Sequence, residues 1–163
     1  MLPYGERVKV EYIDPFINAT RKLMEMMVGI KDFKKKEVFV DQQMDAVFDV
    51  SAIIGVTGDC AGSIVLSFTN SVAAEMLSKL LGEPVREFND DVCDAVCEMV
   101  NIIAGNASAE LTEKGVGHME RSLPNVIYGS GHSIKSPQHA PCINVVFETE
   151  LGDFAIQVSL KFN

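Results

Sequence analysis

Positive charge is scarce in this sequence. Its 14 lysines and arginines stand against 23 aspartates and glutamates, a formal charge of −9. A chain this acidic lacks the basic footprint that a nucleic-acid backbone or an anionic membrane surface requires. Long hydrophobic runs are missing too: nothing approaches the ~20 apolar residues of a membrane span. The opening stretch MLPYGERVKVEYID has no apolar core of the kind a secretory signal carries. Both absences point to the cytoplasm. The four cysteines, Cys60, Cys93, Cys97 and Cys142, form no C-x-x-C pair, and no His-rich or Cys-rich cluster offers a metal site. The cysteines read as small buried thiols. His118, His132 and His139 fall in or near loops with no nucleophile poised beside them, so a catalytic triad is unsupported.

What is present is an ordinary globular composition, 47% hydrophobic and 23% charged over 163 residues. That length suggests a single domain, residues 1–163, able to bury its own core. Asp14-Pro15 reads as a helix start, with Asp as N-cap and Pro at the first helical position. Phe16, Ile17, Thr20, Leu23, Met24 and Met27 recur at helical spacing, and Gly29 stops the helix. Lys31 to Lys36 reads as a solvated basic turn. KEVFVDQQ, MDAVFDVSAIIGV and AGSIVLSFT follow as strands. Asn70 caps the helix SVAAEMLSKLL, which ends at Gly82 and Pro84; the acidic stretch Glu87 to Asp91 leads into a long helix ending near Lys114. RSLPNVIYG is strand-like, GSGHSIKSPQH is a Gly/Ser-rich loop, and APCINVVFETE with DFAIQVSLKF forms a hairpin around Leu151-Gly152. Lys135 stands alone in that loop with no helix after it, so a phosphate-cradling turn is unsupported. The order α-β-β-β-α-α-β-β-β predicts an α+β fold, a largely antiparallel sheet with helices on one face. Each half places a long helix ahead of three strands, a hint of internal duplication.

The long helix carries the chemistry. At about 100° per residue, Glu98, Asn101, Gly105, Ser108 and Thr112 all fall within about 40° of Asp94. Val92, Val96, Met99, Val100, Ile103 and Ala107 lie on the opposite, core side. Asn106 falls towards the core and reads as a buried structural amide. Cys93 and Cys97 are i,i+4 neighbours that read as packing groups. A polar stripe is ordinarily the solvated side of a helix, but this one differs in two ways. It contains no Lys or Arg, so it lacks the i,i+4 ion pairs of ordinary exposed faces. It also includes Gly105 mid-helix, which costs about 1 kcal/mol relative to Ala; either a visiting backbone or packing within the chain would explain it. Glu98 and Asn101 are i,i+3 neighbours. A carboxylate there can pair with a partner's lysine, and an amide can donate to one oxygen while accepting from a water, the geometry that orients a nucleophilic water in phosphoryl transfer.

The spacing Asp94-x3-Glu98-x2-Asn101, followed by 22 residues and Pro124, resembles the signature of the CheC/CheX family. The string EMVNIIAGNASAEL is similar to that family's signature helix, and LPN at 123–125 to its strand-opening proline. The element order agrees over essentially the whole chain. CheC-type members resemble two-site proteins with a second Glu-x2-Asn on the first helix. Here Pro15 stands three residues before Asn18, so the resemblance is to the CheX-like branch with one site.

The resemblance implies a phosphatase that hydrolyses the aspartyl phosphate of a CheY-type response regulator. Asn101 would orient the attacking water and Glu98 would contact the regulator's lysine. Asp94 and Gly105 would form the docking surface. No cofactor of its own is implied, because the Mg²⁺ belongs to the regulator, and a homodimer formed through sheet edges is expected. The alternative is a non-catalytic receiver-binding module, as in the flagellar-switch proteins that share the fold; a slow, degenerate phosphatase is a weaker third.

Overall fold

The computed structural model describes residues 12–40, 48–132, 134 and 142–162. Helix α1 (Ile13–Leu23) continues into a π-helical turn (Met24–Val28) and is followed by strands β1 (Phe33–Val40), β2 (Phe48–Gly58) and β3 (Cys60–Phe68). Helices α2 (Asn70–Leu81) and α3 (Asp90–Glu113) come next. Strands β4 (Met119–Arg121), β5 (Asn125–His132), β6 (Cys142–Thr149) and β7 (Gly152–Phe162) complete the order. The seven strands form one sheet in the order β1-β6-β7-β3-β2-β4, with β5 also paired to β2, and every pairing is antiparallel. The three helices pack on it, giving the α+β architecture expected from the sequence.

The pairing has an approximate two-fold pattern. β3 and β7 lie side by side at the centre, flanked by β2 and β6. Strands of each half cross to the other half: β1 pairs with β6, and β4 and β5 pair with β2. This is the arrangement that two helix-plus-strands halves produce when they exchange edge strands.

Strand alternation builds the core. Ala52 lies opposite Leu66, Leu66 opposite Ile156, and Ile156 opposite Val145. All four side chains are buried in one cluster with Phe16, Leu23, Met76 and Ile103 of the helices. Burying each of the larger of these side chains contributes roughly 1.5–3 kcal/mol. Phe147 and Phe154 stack at 5.1 Å across the β6–β7 pair, and Gly152, with φ +123°, makes the tight return between those strands.

Several boundaries differ from expectation, each for a local reason. Asp14 is an exposed first-turn residue, not the N-cap of α1; Tyr12 occupies the cap, with no capping hydrogen bond from its side chain. Thr69, not Asn70, caps α2, its hydroxyl accepting from Val72 N at 3.3 Å, while Asn70 N donates to Asp49 Oδ2. The basic stretch before β1 is only partly a turn. Lys34, Lys35 and Lys36 already belong to the strand, anchored by Phe33 stacked on Phe147 at 4.8 Å; lysines suit an edge strand because they discourage further pairing. The segment RSLPNVIYG is two strands. Ser122 Oγ accepts from Gly55 N at 2.9 Å, in place of a backbone carbonyl, and Pro124 supplies no N–H, so pairing with β2 breaks and resumes at Asn125. The expected loop 129–139 begins as the end of β5, which runs on to His132. Lys135 and His139 of that loop, and the expected strand start at Met44, lie outside the described residues.

Candidate functional site

Helix α3 holds the candidate site because its two faces differ so sharply. Asn89 caps it, its side-chain oxygen accepting from Val92 N at 2.9 Å, and Asp90 and Asp91 sit at the positive end of its dipole. Val92, Val96, Met99, Val100, Ile103 and Ala107 are all buried. These contacts fix the rotation of the helix, and the rotation fixes what is displayed. Asp94 and Glu98 are exposed, Asn101 and Gly105 are partly exposed, and Thr112 is exposed. The structure thus brings Asp94, Glu98, Asn101 and Gly105 onto one outward face. Asn106 departs from expectation: it is exposed, because the buried arc of α3 closes at Ala107 and Ile103 without reaching it.

The flanks of this face are unlike. On one side a groove of about 570 Å³ is lined by Met27, Leu80, Leu81, Ala95 and Met99, with Asp94 and Glu98 on its rim. Asp91 and Glu83 line it as well, so its charge is wholly negative. Met27 and Leu81 are about two-fifths exposed there, at 42% and 43%. On the other side stands a cation that α3 itself does not carry. Arg121, the last residue of β4, donates through Nη1 to the Asn101 carbonyl at 3.0 Å and lies 3.4 Å from the Asn101 side-chain Oδ1. Its guanidinium occupies the space above Gly105: a Cβ on that glycine would come within 2.8 Å of Nη1. Asn101 therefore sits between a carboxylate flank and a guanidinium.

Arg121 is the functional candidate that sequence reasoning missed. The stripe lacks basic residues along the helix, but β4 brings one to it from 20 residues away. The signal available was Gly105, an unexplained glycine in a long helix.

Other candidates resolve simply. Cys60 and Cys142 are buried. Burial pushes the Cys97 thiol up, and the adjacent Cys93 and then Asp94 act in the same direction, which keeps it protonated and unreactive. Burial also raises Cys60, with Asp59 adding to it. His118 donates its backbone N–H to Asp59 Oδ2 at 2.8 Å. His132 does meet a hydroxyl, contrary to expectation: its Nε2 lies 2.6 Å from Ser51 Oγ, and its Nδ1 is 2.8 Å from the Gly129 carbonyl. Ser51 is only 1% exposed and shares its hydroxyl with Ser67 Oγ at 2.7 Å, so the pair closes the sheet and offers no nucleophile. A second concavity, about 340 Å³ between α2, Phe88 and Tyr128, touches neither Glu98 nor Asn101. Among the described residues no group of three or more His, Cys, Asp or Glu is placed to hold a metal, and no helix is long and apolar enough to cross a membrane.

Comparison with known proteins identifies the family. Residues 50–148 match the family model described as chemotaxis phosphatase CheX. The CheY-P phosphatase CheX of Thermotoga maritima is 29% identical over 125 residues, covering 76% of this chain and 79% of that protein. The crystal structure of the chemotaxis protein CheX from Desulfovibrio desulfuricans superposes with a TM-score of 0.82 at 32% identity, over 94% of this chain and 99% of that one. The CheX of the CheX–CheY–BeF3–Mg complex from Borrelia burgdorferi gives a TM-score of 0.78 at 25% identity, over 92% of this chain and 97% of that one. With the matched segment running from within β2 to within β6 and taking in all of α3, this chain belongs to the CheX family of chemotaxis phosphatases.

Proposed function

We propose that this protein hydrolyses the aspartyl phosphate of a CheY-type response regulator. The observation that carries the reading is the outward pair on α3: Glu98 and Asn101, one turn apart, on a helix whose opposite side is locked into the core. The T. maritima relative is a CheY-P phosphatase and the B. burgdorferi relative forms a complex with CheY; both support a receiver domain as the partner here.

An acyl phosphate already carries a good leaving group, so its hydrolysis needs placement of water more than acid–base assistance. Asn101 enters the receiver's active site and accepts a hydrogen bond from the attacking water through Oδ1. The water oxygen bonds to phosphorus as the phosphorus–oxygen bond to the aspartate breaks, the carboxylate leaves with the electron pair, and the water's protons depart with the inorganic phosphate. Glu98 pairs with the regulator's lysine. Asp94 and Gly105 belong to the docking surface, and the acidic rim of the groove favours a partner that presents basic and apolar side chains together. The protein contributes no cofactor; Mg²⁺ arrives with the regulator.

We also infer that two copies pair through sheet edges. The outer edge of β5 exposes Ile127 and Tyr128 and carries no charged residue between Asn125 and Gly131, whereas the β1 edge, though it exposes Val38 and Val40, carries Lys34, Lys35 and Lys36.

The test is to follow phosphate release from a phosphorylated receiver with the protein at about one-twentieth of the receiver's concentration. Many turnovers per chain are expected. Release that stops at one equivalent, or binding without release, would make the protein an adaptor.

A further inference from the structure

Arg121 has no part in the reaction as set out above, yet its guanidinium touches Asn101 directly. We propose that Arg121 is a positioning residue for the reaction: admitted by the absent side chain at Gly105, its guanidinium clamps Asn101 and fixes which end of the carboxamide faces the reacting water. This rests on the reading of Asn101 as the residue that orients the water.

Three observations converge. First, Arg121 Nη1 reaches the Asn101 carbonyl at 3.0 Å, tying the strand to the helix backbone at the residue that matters. Second, the same nitrogen stands 3.4 Å from Asn101 Oδ1. A guanidinium has donors only, so it can face the oxygen of a carboxamide but not its NH2 group. That removes the ambiguity of a freely rotating amide: Oδ1 is turned to the Arg121 side and Nδ2 away from it. Oδ1 keeps a second lone pair, free to accept from a water. Third, the guanidinium in its present place uses the open space at Gly105, and a Cβ there would push the flexible end of Arg121 aside. Gly105 has an ordinary helical backbone without positive φ, so nothing in its conformation demands glycine. What the glycine leaves is room for the guanidinium, whose Nη1 lies 2.8 Å from where a Cβ would be.

The placement of Arg121 is itself built in. β4 is three residues long and pairs with β2 through Val56 opposite Arg121 and Gly58 opposite Met119. Met119 is buried, so alternation along the strand holds its position. Directly after Arg121 the backbone is pinned again, with Ser122 N donating to the Gly55 carbonyl at 2.9 Å. The short strand thus serves as a rigid mount for one long side chain.

The experiment measures steady-state dephosphorylation of a phosphorylated receiver domain by wild type, Arg121→Ala, Arg121→Lys, Gly105→Ala and the Arg121→Ala/Gly105→Ala double variant, with Asn101→Ala alongside and a thermal melt for each. Arg121→Ala is expected to lower kcat about tenfold, the scale of a modest misplacement of a reacting group, with KM changed less than about twofold. Arg121→Lys, which keeps a donor but loses the fork, should recover part of that loss. Gly105→Ala should lower kcat while its Tm stays level or rises, because alanine is the better helix former; a merely structural role predicts activity and Tm moving together. In the double variant the Gly105→Ala effect should vanish, since the clamp it disturbs is already gone.

The proposal is overturned if Arg121→Ala keeps wild-type kcat, if KM alone changes, or if the two single effects multiply. A Gly105→Ala variant that raises KM at constant kcat would overturn it too, by making the glycine a docking contact only. If Arg121→Ala fails to fold, Arg121→Lys takes its place, and a wild-type kcat there overturns the clamp. Failure of the underlying reading is separate: Asn101→Ala with normal turnover removes the site itself, whereas an inactive Asn101→Ala beside a fully active Arg121→Ala removes only the clamp.

Discussion

Helices α1 and α3 each stand ahead of their own set of strands and pack against each other. Their inner faces do the same work: Phe16, Ile17 and Leu23 on one, Val96, Val100 and Ile103 on the other, all in a common core. Their outer faces differ. α3 displays Asp94, Glu98 and Asn101. α1 displays Asp14 and Asn18, but the position three before Asn18 is Pro15, and it is buried. The surroundings diverge too, since Gly105 admits Arg121 beside Asn101. The core requires only apolar residues at helical spacing, so two helices of different sequence both meet it. A reactive face requires particular groups at particular positions, and a single proline is enough to remove it.

The contrast can be broken or sharpened experimentally. The largest expected effect is in steady-state phosphatase assays, where Asn101→Ala should lose about 100-fold or more in turnover and Asn18→Ala should lose nothing; equal losses would make the two helices functionally alike. Next, Glu98→Ala should weaken association about tenfold, the scale of a hydrogen bond to a charged group, with a reduced salt dependence, while Asp14→Ala leaves affinity unchanged. Titration of a beryllofluoride-activated receiver by fluorescence reads this directly. Pro15→Glu restores the Glu-x2-Asn spacing on α1, yet Pro15 is buried, so denaturant melts should show a stability loss of about 1–3 kcal/mol. In an Asn101→Ala background it should restore no turnover. The smallest effect on catalysis is expected from Ile127→Lys on the β5 edge, which should shift the protein from dimer to monomer in light scattering with kcat nearly intact.

The comparison also shows what a sequence makes legible. α3 could be read almost residue by residue because its long, regular periodicity leaves one solution for the buried face. Asn101 and Glu98 followed from their spacing on it. The exception, Asn106, lies at the margin of that face, where about 100° per residue no longer separates inside from outside. The caps of α1 and α2 were displaced by one or two residues, since Asp14-Pro15 and Thr69-Asn70 each offer more than one plausible start. The break between β4 and β5 depended on Ser122 substituting its hydroxyl for a ladder carbonyl, which no alternation pattern encodes. Arg121 was hidden for a similar reason. Its role is a contact across 20 residues of chain, and only the empty space at Gly105 hinted that something had to fill it.

The most direct test is a single-turnover experiment: a phosphorylated receiver mixed with saturating protein, with phosphate loss followed in time for wild type and Asn101→Ala. In parallel, the affinity of each for the beryllofluoride-activated receiver is measured. The account predicts that the variant binds within about threefold of wild type, since its contribution lies in placing water more than in docking, and hydrolyses at least about 100-fold more slowly. Near-wild-type hydrolysis by Asn101→Ala at saturation would contradict it.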